Sequence, residues 1–296
     1  MSTENIIHRC GYAAFVGRPN VGKSTLVNRL VGQKISIVTR KPQTTRSRVL
    51  GILSDPGFQL ILLDTPGVIK PSYGLQKFMM TAVTAAVRDA DVVLFLADAS
   101  HDSPDTLTLE YTGGKPVILV VNKIDKIPKE RALPLVEAYQ KLKDFADVVP
   151  ISALKGRNVD TLLEVVTSYL PMGPPLYPED MLSEQPERFF VAEIVREKIF
   201  ERYQQEIPYA TQVNIVDFTE KPGEKDVIDA EIIVERDTQK GILIGKGGLA
   251  LKAVGMAARK DIEEFLGRPV FLRLFVKVRG DWRNSETYLK SYGYNE

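Results

Sequence analysis

The sequence predicts an α/β protein in two parts. A mostly parallel, doubly wound sheet spans residues 1–170; beyond a linker at 171–187, a smaller α+β domain spans 188–296. Three observations predict this. Short aliphatic runs alternate with helix-like stretches up to Leu170, the pattern of buried parallel strands covered by helices. The stretch "PMGPPLYPEDMLSEQPE" that follows is polar and rich in proline, as linkers are. After it the order becomes helix, strand, strand, helix, glycine turn, helix, strand, an α+β arrangement. A chain of 296 residues also fits two cores better than one.

In the first part "YAAFVG" reads as a strand and "KSTLVNRLVG" as its helix, followed by "FQLILLD" and "GLQKFMMTAVTAAVRDA". "DVVLFLADA", "KPVILVVNK" and "ADVVPIS" are further strands, and "NVDTLLEVVTSYL" is the closing helix. In the second part "FVAEIVREKIFERYQQ" carries a helical stripe of Val191, Ile194, Val195, Ile199 and Tyr203. "ATQVNIVDFTE" and "VIDAEIIVERD" are strand-like, and "GILIGKGGLALKAVGMAARKDIEEFLG" is two helices broken at the glycines. In the last strand Leu272, Leu274, Val276 and Val278 share one face, and Phe271, Arg273, Phe275, Lys277 and Arg279 share the other.

Composition narrows the classes. No apolar run reaches the roughly 18 to 20 residues of a membrane span, and "MSTENIIHRCG" lacks the order of a signal peptide. The expectation is a soluble, cytoplasmic protein. A single cysteine, Cys10, excludes an internal disulfide, and His8 and His101 fit no metal-ligand spacing. The net charge of +1 hides segregation: residues 171–239 hold 7 basic and 16 acidic residues, and residues 240–290 hold 11 basic and 5 acidic. That asymmetry points to a polyanion near the basic segment.

"GRPNVGKST", comprising Gly17, Arg18, Pro19, Asn20, Val21, Gly22, Lys23, Ser24 and Thr25, fits G-x-x-x-x-G-K-[ST] between a strand and a helix. Its amides can surround a di- or triphosphate, Lys23 can meet the outer phosphates and Ser24 can ligate Mg²⁺. "NKID", comprising Asn122, Lys123, Ile124 and Asp125, ends a later strand, where ligands of open α/β sheets collect. The Asp125 carboxylate can accept from guanine N1–H and N2–H₂, whereas adenine would leave it unsatisfied. Asn122 would hold base and loop, and the Lys123 stem would cover the ring. Ser152, Ala153 and Leu154 would complete the base pocket through backbone amides. "DTPG", comprising Asp64, Thr65, Pro66 and Gly67, places a carboxylate for the Mg²⁺ shell and an amide for the γ-phosphate. Within "TRKPQTTRSR", Thr45 is the candidate for a second Mg²⁺ hydroxyl, with Thr44 as the alternative.

Together these motifs resemble the Ras-like translation-factor class of GTPases, which implies GTP/GDP and Mg²⁺ as ligands. Val68, counted with "DTPG" among the nucleotide-binding residues, stands where Ras carries a water-orienting glutamine, so hydrolysis is expected to be slow. GTPases with a hydrophobic residue there resemble one another in an asparagine at the place of Asn20 that helps bind K⁺. That resemblance implies K⁺-stimulated turnover.

"GILIGKGG" lacks phosphate-loop spacing and has no hydroxyl after its lysine. A G-x-x-G turn between helices matches KH modules, which clamp a single-stranded backbone. Ile244, Gly245, Lys246, Gly247 and Gly248, with Lys252 beyond, are the candidate RNA-binding residues. Ile242, Leu243 and Ile244 before the turn, with Leu249 and Leu251 after it, would anchor the helices and line a groove for bases. The basic and aromatic face of the last strand suits single strands, but suits a solvated outer face equally.

The run of "GRPNVGKST", "KPQTTR", "DTPG" and "NKID", then "AEIVREKIF", "IPYA", "IGKGG", "ARKDIE" and "VKVRGDW", resembles the Era family of bacterial GTPases with a C-terminal type II KH domain. The resemblance covers nearly the whole chain. It implies a monomer that binds the 3′ end of 16S ribosomal RNA rather than DNA and assists small-subunit assembly. It also implies partial contact with the inner membrane. Ser47 departs from the histidine common in the family, and "ASHDSPDTLTLEYTGGKP" is a compact connection. A rival reading is a protein-interaction or membrane-surface GTPase whose KH-like domain is only a scaffold. A nucleotide kinase fits less well, because "NKID" has no role in phosphate transfer to a small acceptor.

Overall fold

The computed structural model describes residues 8–294. The first seven residues, part of the stretch read as lacking a signal peptide, lie outside the described residues. The first part runs β1 (Arg9–Gly17), α1 (Lys23–Val31), β2 (Val49–Asp55), β3 (Phe58–Asp64), α2 (Gly74–Asp89), β4 (Val92–Asp98), α3 (Thr106–Leu109), β5 (Val117–Asn122), α4 (Ala132–Gln140), β6 (Asp147–Pro150) and α5 (Val159–Ser168). Its six strands lie in the order β2-β3-β1-β4-β5-β6, all neighbours parallel except β2 with β3.

Alternation along the strands divides two cores. Ala14, Val16, Ile61, Leu63, Val93 and Phe95 pack beneath Met79 and Val83 of α2 and Leu135 and Tyr139 of α4. Their neighbours Ala13, Phe15, Leu60, Leu62, Val92 and Leu94 pack beneath α1 and α5. Apolar residues on both faces make the continuous hydrophobic runs seen in the sequence. The antiparallel β2, absent from the expected elements, has Gly51 at its centre. A Cβ there would lie 2.6 Å from Ile35 Cδ1 and 2.9 Å from Val31 Cγ2, so the residue that breaks the strand signature is required by packing.

The second part runs α6 (Glu187–Arg202), β7 (Gln212–Thr219), β8 (Asp226–Val234), α7 (Asp237–Ile244), α8 (Leu249–Leu266), β9 (Val270–Val278) and α9 (Glu286–Ser291). β8 pairs antiparallel with β7 and parallel with β9. One side of this three-stranded sheet is covered by α6, α7 and α8 through Val191, Val195, Ile199, Leu243, Val254, Ala258 and Ile262. This is a type II KH fold. No single described helix is long and apolar enough to cross a membrane.

The two parts share a core. Trp282 is fully buried, and it joins Ile233, Leu289 and Tyr294 to the cluster beneath α2. The proline-rich stretch is pinned along the first sheet: Ile52 N donates to Leu182 O at 2.9 Å, and Gln59 Nε2 donates to Tyr177 O at 2.8 Å.

The charge segregation read from the sequence is largely cancelled in space. On β9, Arg273 Nε meets Asp229 Oδ1 of β8 at 2.5 Å, and Lys277 pairs with Glu231. Arg268 Nε meets Asp226 Oδ2 at 2.5 Å, and Arg283 pairs with Glu235. The acidic and basic segments are neighbouring strands and turns, so most of the basic excess has local partners. Among the described residues Lys240, Lys246, Lys252, Lys260 and Arg279 form no ion pair.

Candidate nucleotide pocket and glycine loop

A cavity of about 990 Å³ opens at the carboxyl ends of β1, β3 and β5, where an open parallel sheet presents its loops. Of the expected residues it brings together Pro19, Asn20, Gly22, Lys23, Ser24, Thr25, Thr44, Thr45, Thr65, Gly67, Asn122, Lys123, Asp125, Ala153 and Leu154. Gly17, Arg18, Val21, Asp64, Pro66, Val68, Ile124 and Ser152 lie behind this lining rather than in it.

Local geometry explains the glycines. Gly22 has φ 105, and a Cβ there would sit 2.3 Å from Asn122 Nδ2. A Cβ on Gly67 would sit 2.6 Å from Pro19 N, so the two loops approach as closely as backbone allows. Asn122, 2% exposed, staples three segments. Its Nδ2 donates to Val21 O at 2.8 Å, and its Oδ1 accepts from Lys123 N at 2.8 Å and Ala153 N at 2.9 Å. The Ala153 amide, expected to face a base, is therefore engaged with Asn122. Ser152 Oγ donates to Asp125 Oδ1 at 2.5 Å and holds that carboxyl below its ordinary range. Lys123 Nζ donates to Asn20 O and to Asp98 Oδ2, both at 2.6 Å, drawing its stem across the pocket mouth.

Lys23 Nζ donates to Gly17 O at 2.9 Å and Arg18 O at 3.1 Å. Burial pushes its pKa down to about 8, against the opposing pull of Asp64 and Asp105. The Asp64 carboxylate is fully buried, and neither oxygen has a hydrogen-bond partner among the described residues. Burial raises its pKa, while Lys23 and the facing hydroxyls of Ser24, Ser36 and Thr45 oppose the rise. Ser24 Oγ and Thr45 Oγ1 lie 3.1 Å apart beside it. An orphaned buried carboxylate with converging hydroxyls is the donor set of a hard divalent cation, so these residues fit Mg²⁺.

Two side chains depart from their expected places. Val68 is 2% exposed within the core beneath α2, with its amide on Gly17 O at 3.0 Å. Arg18 turns from the cavity toward Asp105, its Nε 3.0 Å from Oδ1. Both corrections have one cause: motif spacing fixes the backbone of a loop, but packing chooses where each side chain points.

Sequence reasoning missed three groups. Arg29 of α1 donates to Ala153 O at 2.5 Å and Leu154 O at 2.8 Å, bracing the loop after β6. Phe200, Glu201 and Gln204, at the end of α6, form part of the cavity wall. Arg196, 2% exposed, donates to Thr44 O, and Lys41 donates to Phe200 O and Tyr203 O at the α6 terminus. No local motif marks these residues, because each acts on a segment far away in the chain.

The GKGG turn lies between α7 and α8. Gly245, Gly247 and Gly248 have φ 69, 58 and 78, conformations that side chains resist. Lys246 and Lys252 are exposed, and Ile244 is half-buried. The expected hydrophobic set divides: Leu243 is fully buried, whereas Ile242 and Leu249 are 52% and 68% exposed. Thus Leu243 anchors α7 while its neighbours present apolar surface beside the turn.

A family model described as 50S ribosome-binding GTPase matches residues 12–123, and a KH-domain model matches residues 206–283. The chloroplastic GTPase ERA1 of Zea mays is 52% identical over 294 residues, covering 97% of this chain and 71% of the relative. A variant of Aquifex aeolicus Era bound to GDP·AlF4⁻ superposes with a TM-score of 0.93 at 43% identity, covering 97% of this chain and all of that one. An Era structure in complex with MgGDPNP and nucleotides 1506–1542 of 16S ribosomal RNA gives a TM-score of 0.93 at 43% identity, covering 98% of this chain and all of that one. A phosphate loop and guanine-type pocket on a Ras-like sheet, a KH fold behind them, and identity sustained from end to end make this chain a member of the Era family of GTPases.

Proposed function

We propose that this GTPase is a nucleotide-controlled RNA clamp that engages the 3′ region of 16S ribosomal RNA during small-subunit assembly. The observation that carries the proposal is the Arg196 hydrogen bond to Thr44 O. It joins the helix packed on α8, which begins at the GKGG turn, to the residue beside Thr45. Nucleotide state at Thr45 and Gly67 thereby biases how α6 and the turn sit, and RNA must alter GTP affinity by the same factor. The solved Era complex with 16S nucleotides 1506–1542 supports the choice of RNA.

In this reading Asp125 and Asn122 select guanine, and Ser152, Ala153 and Leu154 shape the base pocket. Gly17 to Thr25 wrap the phosphates, with Lys23 as the point charge. Ser24, Thr45 and Asp64 hold Mg²⁺, which neutralises phosphate charge when bound. Thr45 is favoured over Thr44 because its hydroxyl adjoins Ser24. Val68 offers no polar group, so turnover without a partner is slow. Asn20 Nδ2 donates to Arg40 O at 3.0 Å, leaving Oδ1 for K⁺; equal hydrolysis rates in K⁺ and Na⁺ would rule this site out. Ile244 to Gly248 and Lys252 hold the RNA backbone, with phosphates at the start of α8.

The compartment we propose is one with bacterial-type ribosomes: a bacterial cytoplasm with peripheral inner-membrane contact, or a chloroplast, as the maize relative's name states. The chain divides functionally into a GTPase domain (1–170), a linker (171–187) and a KH domain (188–296). Lys246→Ala separates RNA clamping from a scaffold role. The expected result is weakened binding of a 16S 3′ oligonucleotide in a filter assay, with GTP turnover unchanged in the absence of RNA. Unchanged RNA affinity would favour the protein-interaction or membrane reading, which flotation with vesicles of anionic phospholipid would then examine.

A further inference from the structure

Arg18, the second residue of the phosphate loop, is held from behind. Its Nε lies 3.0 Å from Asp105 Oδ1, and the side chains are 48% and 7% exposed. Asp105 is itself fixed. It accepts from Thr108 N at 3.2 Å and from the Thr108 hydroxyl, capping α3. Its own amide donates to Tyr139 OH at 2.9 Å, and Tyr139 is wedged edge-on against Phe95. The carboxylate thus reaches the loop from a rigid wall, across a cavity of only about 50 Å³. On the other side of the same residue, Arg18 O accepts from Lys23 Nζ at 3.1 Å.

We propose that Arg18 and Asp105 form a positioning latch for the phosphate loop. The ion pair fixes the backbone at Arg18, and with it the carbonyl against which Lys23 rests before it turns to phosphate. Neither residue touches nucleotide in this role. Asp105 anchors the loop from outside the nucleotide cavity. An exposed ion pair alone contributes little. Here the carboxylate is buried and pre-aimed, so the side-chain entropy of only one partner opposes pairing.

The test uses the full chain with Arg18→Gln, Asp105→Asn and the double variant. Asp105→Asn retains a carbonyl oxygen for the Thr108 amide, so α3 keeps its cap. Dissociation of a fluorescent GDP analogue is followed by stopped flow, with melting temperature as the folding control. Each single variant is expected to release GDP roughly three- to tenfold faster, and the double variant no faster than the worse single, as for partners in one interaction. Arg18→Lys, which keeps a cation within reach of Asp105, is the rescue control and should release GDP at close to the parent rate; no rescue by lysine would count against the ion pair.

A merely structural Asp105 would lower the melting temperature without speeding GDP release, and that result overturns the latch. So do additive losses in the double variant. Arg18 is half open to solvent, so Arg18→Gln tests the idea even if Asp105→Asn fails to fold. A folded Arg18→Gln protein with wild-type GDP release defeats the proposal by itself.

Discussion

Lys23 and Asp64 are buried side by side, and each titrates against its environment. Burial holds Lys23 near pH 8, whereas bound phosphate favours its charged form. Binding at alkaline pH therefore takes up a proton. Nucleotide affinity should be flat below about pH 8 and fall as pH rises above it; calorimetry in buffers of different ionisation enthalpy would detect the uptake. Asp64 is displaced in the opposite sense, with a raised pKa. For this carboxyl the folded state is not penalised below its unfolded pKa, and the penalty grows as pH rises and the buried group must ionise. Asp64→Asn should therefore stabilise the metal-free protein at neutral pH by about 1–3 kcal/mol, with the gain disappearing in acid. It should also abolish the effect of Mg²⁺ on nucleotide affinity. Loss of melting temperature at neutral pH would contradict the orphaned carboxylate.

The GKGG turn shows an element whose sequence dictates its shape. Gly245 has φ 69 and ψ 178, a region open almost only to glycine, and a Cβ there would lie 2.6 Å from that of Ala250. Gly245→Ala should cost about 1–3 kcal/mol and loosen RNA binding, measured by denaturant melts and oligonucleotide titration. β9 is the contrasting element. Its alternation of cations and aromatics was readable, but not the cross-strand pairing of Arg273 and Lys277 with Asp229 and Glu231. Those partners lie over 40 positions away in sequence, and only strand register brings them opposite. Register likewise placed β2, hidden in the sequence by Gly51, at the sheet edge.

Across the whole molecule the seam between the two parts behaves as core. Trp282 is fully buried in the cluster beneath α2, and its Nε1 donates to Ala210 O at 3.0 Å. Arg46 donates to Thr211 O at 2.7 Å and Pro208 O at 3.0 Å, binding the segment before β2 to the chain before β7. Such a continuous interior couples the stability of the halves. Trp282→Ala should cost about 3–5 kcal/mol, and calorimetry should show both parts melting at a lower temperature. A variant in which only the KH part shifts would mean the halves are energetically separate.

Sites built from short-range geometry are legible in residue order. "GRPNVGKST", "DTPG", "NKID" and "IGKGG" each specify a turn through glycine or a strand end within a few residues, and the burial pattern specified the sheet. Packing between distant segments sets where Arg18 and Val68 point, which carboxylate braces the phosphate loop, and that α6 walls the nucleotide cavity. These depend on pairs such as Arg196 with Thr44, separated by 152 positions. Periodicity and spacing describe one segment at a time, whereas a buried charge finds its partner only when distant segments pack together.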